Sequence, residues 1–167
     1  MSLEARVEPI TGRVPSLRWS WDTETDILSG SFKSTGNSTG LTGTVELTDD
    51  VGSVAVLDVA GGVLRGIDIV VWPEVASQST LTPPEPSRDG RVLLPSRASQ
   101  PGIASLEMDT TLSMSTDAAQ QIFHLRIGGR QPVQVVRIAD RCLVEVDQRS
   151  RLAGLWLLDV PPFPEGQ

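Results

Sequence analysis

Few residues in this 167-residue chain carry side chains suited to acid–base, nucleophilic or metal chemistry. It contains one histidine, His124, and one cysteine, Cys142. These two residues cannot supply the four ligands of a usual tetrahedral zinc site. His124 could act as a general base, but no Gly-x-Ser-x-Gly elbow precedes a helical segment to supply a nucleophile. The sequence therefore predicts no catalytic residue, no metal site and no cofactor.

Two short motifs resemble ligand-binding loops and lack the residues that would complete them. Asp22, Glu24 and Asp26 alternate as at the start of a calcium loop, but Ile27 stands at the glycine position and Lys33 at the closing glutamate. Weak cation binding by carboxylates remains an alternative to a simple Asx-turn at Asp22. Lys33 also lies beside serine and glycine residues, but no helix follows to bind a phosphate group.

The residues best suited to binding are two tryptophans and two basic side chains. Tryptophan is enriched at the energetic centres of interfaces, and an internal comparison of the chain matches Trp21 and Trp156 with polar residues. We expect Trp21, Trp156, His124 and Lys33 to be binding residues. If the protein instead binds a small ligand in a cleft, the Lys33–Gly43 loop would be its lid. Burial between two halves of the molecule is an equally good interpretation of Trp156.

The chain repeats a pattern of strands and turns. Leu17–Phe32 aligns without gaps with Leu112–Ile127, and Gly43–Pro73 resembles Cys142–Pro161 when Gly66 is matched with Gly154. In this alignment Asp58 corresponds to Asp147. The residues predicted to form turns are Asp22, Asp117, Asp58, Asp147, Gly66 and Gly154. Each copy is predicted to form a strand, an Asp-led turn, a strand, a connection and a final hairpin.

These motifs resemble a small, uncharacterised bacterial and archaeal family of β-rich domains of unknown function. The residues that match its opening motif are Trp19, Trp21, Asp22, Asp26, Ile27 and Leu28. The residues that match its closing motif are Asp58, Gly61, Leu64, Gly66, Ile67, Asp68 and Ile69. The second copy departs from both motifs, for example with Gln121 in place of Asp26. The resemblance implies strands and turns but no particular chemistry.

The fold expected from these patterns is all-β. Apolar residues alternate along most segments, and none shows a helical period with capping residues. We predict two tandem, pseudo-twofold antiparallel units that form a sandwich or a partly closed barrel. The predicted divisions are an arm (1–16), a first unit (17–74), a Pro/Ser-rich linker with one additional strand (75–105) and a second unit with a tail (106–167). The apolar run Val54–Leu57 suggests a strand buried on both faces.

Composition limits the classes of partner and compartment. The net charge of −7 and the single lysine argue against binding to a phosphate backbone. No apolar run is long enough to span a membrane, and one cysteine cannot form an internal disulfide, which favours the cytoplasm. We therefore expect a non-catalytic interaction module that binds a protein or itself. The alternatives are a ligand binder or hydrolase that uses a cleft between the units, and a structural homo-oligomer.

Overall fold

The computed structural model describes residues 3–33, 42–94 and 103–163. Every regular element within these ranges is a strand, which confirms the predicted all-β class. Because that part of the chain contains no helix, it has none long and apolar enough to cross a bilayer. The strands are β1 (Arg6–Pro9), β2 (Arg18–Asp22), β3 (Ile27–Ser31), β4 (Thr42–Thr48), β5 (Val54–Ala60), β6 (Val63–Val71), β7 (Val75–Ser77), β8 (Arg88–Leu93), β9 (Ile103–Asp109), β10 (Leu112–Thr116), β11 (Phe123–Ile127), β12 (Val133–Ala139), β13 (Cys142–Asp147) and β14 (Leu152–Leu157).

Hydrogen bonds join the strands into one sheet that curls into a half-barrel. Its main path runs β7–β10–β11–β14–β13–β12–β8–β6–β5–β4–β9. Strand β1 adds to β8, and the hairpin β2–β3 joins through β3 to β6. Most neighbouring strands are antiparallel, as expected for strands joined by short turns.

The first and second halves of the chain use the same kinds of connection. In the first half, β2 and β3 form a hairpin, β4, β5 and β6 form a meander, and β3 closes onto β6. In the second half, β10 and β11 form a hairpin, β12, β13 and β14 form a meander, and β11 closes onto β14.

The segment predicted as a linker with one strand contains two whole strands, β7 and β8, and the first three residues of β9. Strand β7 pairs in parallel with β10, and β9 pairs in parallel with β4. Strand β8 pairs with β1, β6 and β12, so it hydrogen-bonds to both halves. Through these pairings the predicted linker becomes part of the sheet, because each of its strands hydrogen-bonds to a strand that is distant in sequence.

The larger apolar core draws on both halves. The largest side chains that are almost completely buried are Leu17, Leu28, Leu47, Leu57, Leu64, Ile67, Ile69, Leu94, Met114, Leu125 and Leu155. They alternate with more exposed residues along the first-half strands, as the two faces of a strand require. The prediction that Val54–Leu57 is buried on both faces is wrong, because burial alternates along β5. Strands β13 and β14 are instead buried along their whole length.

A second, smaller apolar cluster explains why β13 and β14 are buried on both faces. Val135, Leu143 and Trp156 form its centre, and Leu81 from the former linker packs against them. The chain before β8 is held there because Ser87 donates from both its amide and its hydroxyl to the Val135 carbonyl, at 2.8 and 2.9 Å. The linker therefore covers the outer face of the second half.

Three of the predicted turn residues lie at turns. The Asp22 Oδ1 accepts from the Glu24 amide at 3.0 Å, and the Asp117 Oδ1 accepts from the Gln121 amide at 2.9 Å. Asp147 accepts from two backbone amides of the β13–β14 turn. That turn passes through a left-handed φ of 57° at Ser150, where sequence would favour glycine.

The other three predicted turn residues lie inside strands. Asp58 is in β5 and Gly66 in β6, where they pair with each other. Gly154 is in β14 and pairs with Glu145, not with Asp147. The alignment of Asp58 with Asp147 is therefore displaced by two residues from the strand register. Glycine occurs here within ladders because a Cβ at Gly66 would lie 2.7 Å from the Gly30 carbonyl oxygen.

Candidate functional site

The end of β2 places one of the sequence-predicted tryptophans at an open groove. Side chains alternate along a strand, so Trp19 and Trp21 point to the same face. Trp19 is buried, and its indole Nε1 donates to the Leu158 carbonyl at 2.9 Å. Trp21, nearer the end of the strand, is only partly buried. The core therefore accommodates the first ring and leaves the second at its edge.

Four aromatic rings follow one another along this edge. Trp21 stacks on Trp72 with ring centroids 5.5 Å apart and planes at 21°. Phe163 meets Trp21 edge to face at 5.2 Å, and Trp72 lies 5.3 Å from the buried ring of Phe123. Such offset and edge contacts are the arrangements that aromatic quadrupoles favour. The rings come from four distant parts of the chain.

Backbone carbonyls fix the orientation of both groove indoles. The Trp21 Nε1 donates to the Pro161 carbonyl at 2.8 Å, and the Trp72 Nε1 donates to the Asp26 carbonyl at 2.9 Å. Each bond ties an indole to a loop. The two ring planes are therefore held in place rather than left to rotate.

The groove has a volume of about 570 Å³, within the range of ligand-binding clefts. One carboxylate, that of Asp26, is the only charged group among its lining residues in the described chain. The lining residues are Trp21, Asp26, Trp72, Val75, Thr116, Ala119, Gln120, Phe123, Pro161, Pro162 and Phe163. Such a lining suits apolar, aromatic or proline side chains rather than a charged ligand.

A polar cluster lies on the opposite face of β11, where His124 alternates with Phe123. The His124 Nε2 lies 2.8 Å from the Glu145 Oε1, and its ring stacks on Trp156 with centroids 4.2 Å apart. The Trp156 Nε1 donates to the Glu145 Oε2 at 3.2 Å. An ionised carboxylate can only accept, so the His124 Nε2 carries the proton in this contact.

The ionisation of Glu145 depends on these contacts. Burial alone raises the pKa of Glu145, because it removes water from the charged form, but hydrogen bonds from His124 and Trp156 outweigh it. The nearby Arg126 charge acts in the same direction, and the pKa of Glu145 is lowered overall. In the described chain the ring of His124 has no hydroxyl or thiol partner. The cluster is thus a satisfied structural unit without a nucleophile.

No family model matches this chain, and no curated protein matches it.

The structure separates the four sequence-predicted binding residues. Trp21 lines the groove, whereas His124 lines a cavity of about 280 Å³ on the other face of β11. Lys33 lines a third cavity, with Asp58 and Arg65. Trp156 is buried with Val135 and Leu143, and Leu81 packs against this cluster.

The alternative that uses His124 in a cleft stays a prediction, but His124 lines a different cavity from the groove, which its neighbour Phe123 lines. The lid predicted at Lys33–Gly43 falls largely on residues 34–41, which lie outside the described residues. Asp26 reaches the groove, but across the described ranges no three His, Cys, Asp or Glu side chains are grouped to hold a metal ion.

Sequence reasoning missed three of the four groove rings and the partner of His124. Trp72, Phe123 and Phe163 are far from Trp21 in sequence, and no local period connects them. Glu145 lies 21 positions after His124 in the sequence. Their strands, β13 and β11, lie on either side of β14, and the two side chains meet across that strand. Gly154 is the sequence signal for the contact of Glu145 with His124, since a glycine inside an apolar strand often marks the close approach of another group.

Proposed function

We propose that this protein is a non-catalytic interaction module that binds a protein partner in the groove formed by Trp21, Trp72 and Phe123, at whose edge Phe163 packs on Trp21. The observation that carries the proposal is the row of ring contacts at the open edge of the core. Two partly buried indoles with fixed planes provide a large apolar surface at little cost in side-chain entropy.

The chemistry around the groove supports binding rather than catalysis. Among the described residues its lining includes no histidine, cysteine or basic side chain. Its one carboxylate, Asp26, has no second acid, base or cation beside it in that lining with which to carry out acid–base or nucleophilic catalysis. Apolar rings and a few polar groups are instead typical of recognition sites.

The cytoplasm is the compartment that we propose for this module. Cys142 is a free, buried thiol, and burial raises its pKa to about 12. A chain with one cysteine has no internal disulfide to gain from an oxidising compartment.

We further propose that the two halves are tandem units related by a pseudo-twofold axis. Matching Gly66 with Gly154 gives the two closing ladders the same register: Ser31 pairs with Gly66, and Arg126 pairs with Gly154. The two hairpins also agree, since Trp19 pairs with Gly30 and Met114 with Leu125. A twofold relation would place the aromatic groove where the units meet.

The interaction is tested by affinity capture from a lysate of the source organism, quantified by mass spectrometry. The baits are the wild-type chain, the double variant Trp21→Ala/Trp72→Ala and the control Lys33→Ala. Loss of central aromatic anchors commonly reduces affinity by tenfold or more, so we expect recovery of the partner to fall by at least about tenfold. Lys33→Ala alters a different cavity and should leave recovery unchanged.

Thermal unfolding of each bait provides the folding control. Capture of no stoichiometric partner by the folded wild-type chain would contradict the proposal. Equal recovery by the double variant would place the interaction elsewhere. Loss of recovery only with Lys33→Ala would transfer the function to the cavity beside Lys33.

A further inference from the structure

The chain itself contributes a proline-rich segment to the aromatic groove. After β14 the backbone turns at Asp159, which has a left-handed φ of 53°. Val160 is buried and donates from its amide to the Gln121 carbonyl at 2.9 Å. The next three residues, Pro161–Phe163, are exposed, belong to no strand and line the groove. Val160 therefore anchors the segment, and Pro161 and Phe163 contact Trp21.

We infer that the groove recognises an extended, proline-rich peptide containing an aromatic residue, and that Pro161–Phe163 is an internal occupant that such a peptide displaces. This inference rests on the proposed interaction function and defines its partner. It assigns one mode of recognition: pyrrolidine and phenyl rings packed on indoles, with an indole N–H donating to a proline-preceding carbonyl.

The contact between Trp21 and Pro161 provides the central element of that mode. Proline has no amide hydrogen, so a proline-rich backbone offers carbonyl acceptors without competing donors. The Trp21 Nε1 donates to the Pro161 carbonyl at 2.8 Å. Because Pro161 precedes Pro162, its backbone is restricted to extended conformations. A peptide with the same sequence would lose little entropy when it binds.

The ring of Phe163 completes the contact. It meets Trp21 at 87° and 5.2 Å, with its edge on the indole face. Yet 39 % of Phe163 is exposed, so it rests on Trp21 without filling a closed cavity. One hydrogen bond and one ring contact are weak attachments for a segment. The internal segment can therefore exchange with a better-fitting peptide.

The charge of the groove agrees with a neutral peptide. Asp26 is the only charged lining residue in the described part of the chain, and its backbone carbonyl is already bonded to Trp72. Acidic or phosphorylated ligands would find no cation there to pair with. Proline and aromatic side chains need none.

The experiment uses a chain that ends at Val160 and the synthetic peptide Pro-Pro-Phe-Pro, which repeats residues 161–164 and is acetylated and amidated so that it carries no charge. The control peptide, Ala-Ala-Phe-Ala with the same end groups, keeps the phenyl ring and loses the prolines. Binding is followed by tryptophan fluorescence and calorimetry. We expect the proline peptide to bind at least about tenfold more tightly than the control, a difference of about 1.4 kcal/mol.

The full-length chain tests displacement. A short tether supplies its own segment at an effective concentration in the millimolar range, so the peptide should bind at least about tenfold more weakly to the full chain. Phe163→Ala in the full chain should recover part of that affinity. This variant also serves if the shortened chain does not fold. Trp21→Ala in either background should abolish binding.

Each outcome distinguishes this inference from the function on which it rests. Equal binding of both peptides, or of the proline peptide to the Trp21→Ala variant, would overturn the inference. If neither peptide binds but lysate capture still depends on Trp21 and Trp72, the groove is an interaction site of another specificity. If both experiments fail, the proposed function fails with the inference.

Discussion

The carboxylate of Glu145 reaches across β14 to the ring of His124, with 2.8 Å between Oε1 and Nε2. The two side chains are about equally shielded, at 12 % and 11 % exposure. Gly154 lies between them in the sheet and has no side chain to obstruct the contact. The indole Nε1 of Trp156 donates a hydrogen bond to the other oxygen of the Glu145 carboxylate. The pair is therefore a fixed part of the second half and supports several predictions.

The lowered pKa of Glu145 predicts a loss of stability in acid. Burial opposes the shift, and the hydrogen bonds from His124 and Trp156 produce it. A carboxylate whose folded pKa lies below the unfolded value of about 4.3 stabilises the fold fully above that pH, and its contribution disappears as pH falls through the folded pKa. Glu145→Gln should therefore unfold at a lower temperature than wild type at pH 7, and the difference should narrow towards pH 3.

Circular dichroism melts between pH 3 and 7 measure this difference. The variant Asp147→Asn provides a comparison. Hydrogen bonds from backbone amides and from Arg151 lower the pKa of Asp147, although burial alone would raise it. A pH-independent difference for Glu145→Gln would contradict the assignment.

A double-mutant cycle should detect the His124–Glu145 bond itself. His124→Phe keeps a ring to stack on Trp156 and removes the donor, whereas Glu145→Gln keeps the shape and removes the charge. Groups that share a hydrogen bond couple by about 0.5–3 kcal/mol, so the double variant should be less destabilised than the sum of the two. Urea unfolding at pH 7 gives the four free energies of unfolding. Additive effects would mean that the two side chains contribute independently.

Gly154→Ala should be strongly destabilising. A Cβ at Gly154 would overlap the Glu145 Oε1 and lie 2.8 Å from the Leu125 carbonyl oxygen. Overpacking of this kind costs about 1–3 kcal/mol. Gly129→Ala is the matched control, because a Cβ there would meet no atom within 4 Å. Denaturant midpoints compare the two variants, and equal midpoints would contradict the close approach at Gly154.

Cys142 should be unreactive in the folded protein. Burial raises the pKa of its thiol to about 12, so at pH 8 the thiolate fraction is on the order of 10⁻⁴. Ellman's reagent should modify no thiol in native buffer and one thiol per chain in guanidinium chloride. Modification of the native protein at the rate of an unfolded peptide would show that the thiol is accessible.

The two halves should unfold together. Their buried residues form one core cluster, and β7, β8 and β9 hydrogen-bond across the halves. Denaturant unfolding followed by tryptophan fluorescence and by circular dichroism should therefore give coincident transitions. Two separated transitions would show that each unit is stable without the other.

Local patterns were enough for the strands and for part of the turns. The alternation that ends at Trp21 and the Asx-turns at Asp22, Asp117 and Asp147 depend on neighbouring residues, and all could be predicted. The register around Asp58 could not, because glycine signals a turn and an open position in a ladder equally well. Gly66 and Gly154 are of the second kind.

The sequence by itself determined the all-β class, because period-two alternation and Asp-led turns act over a few residues. Only the tertiary structure decided which rings stand at an open groove and which are covered. Trp21 and Trp156 look alike in sequence, but the second is buried in a cluster against which the linker residue Leu81 packs. The first contacts Trp72 and Phe163 and lines an open groove. Those contacts join segments distant along the chain, and their closeness depends on how the whole sheet curls.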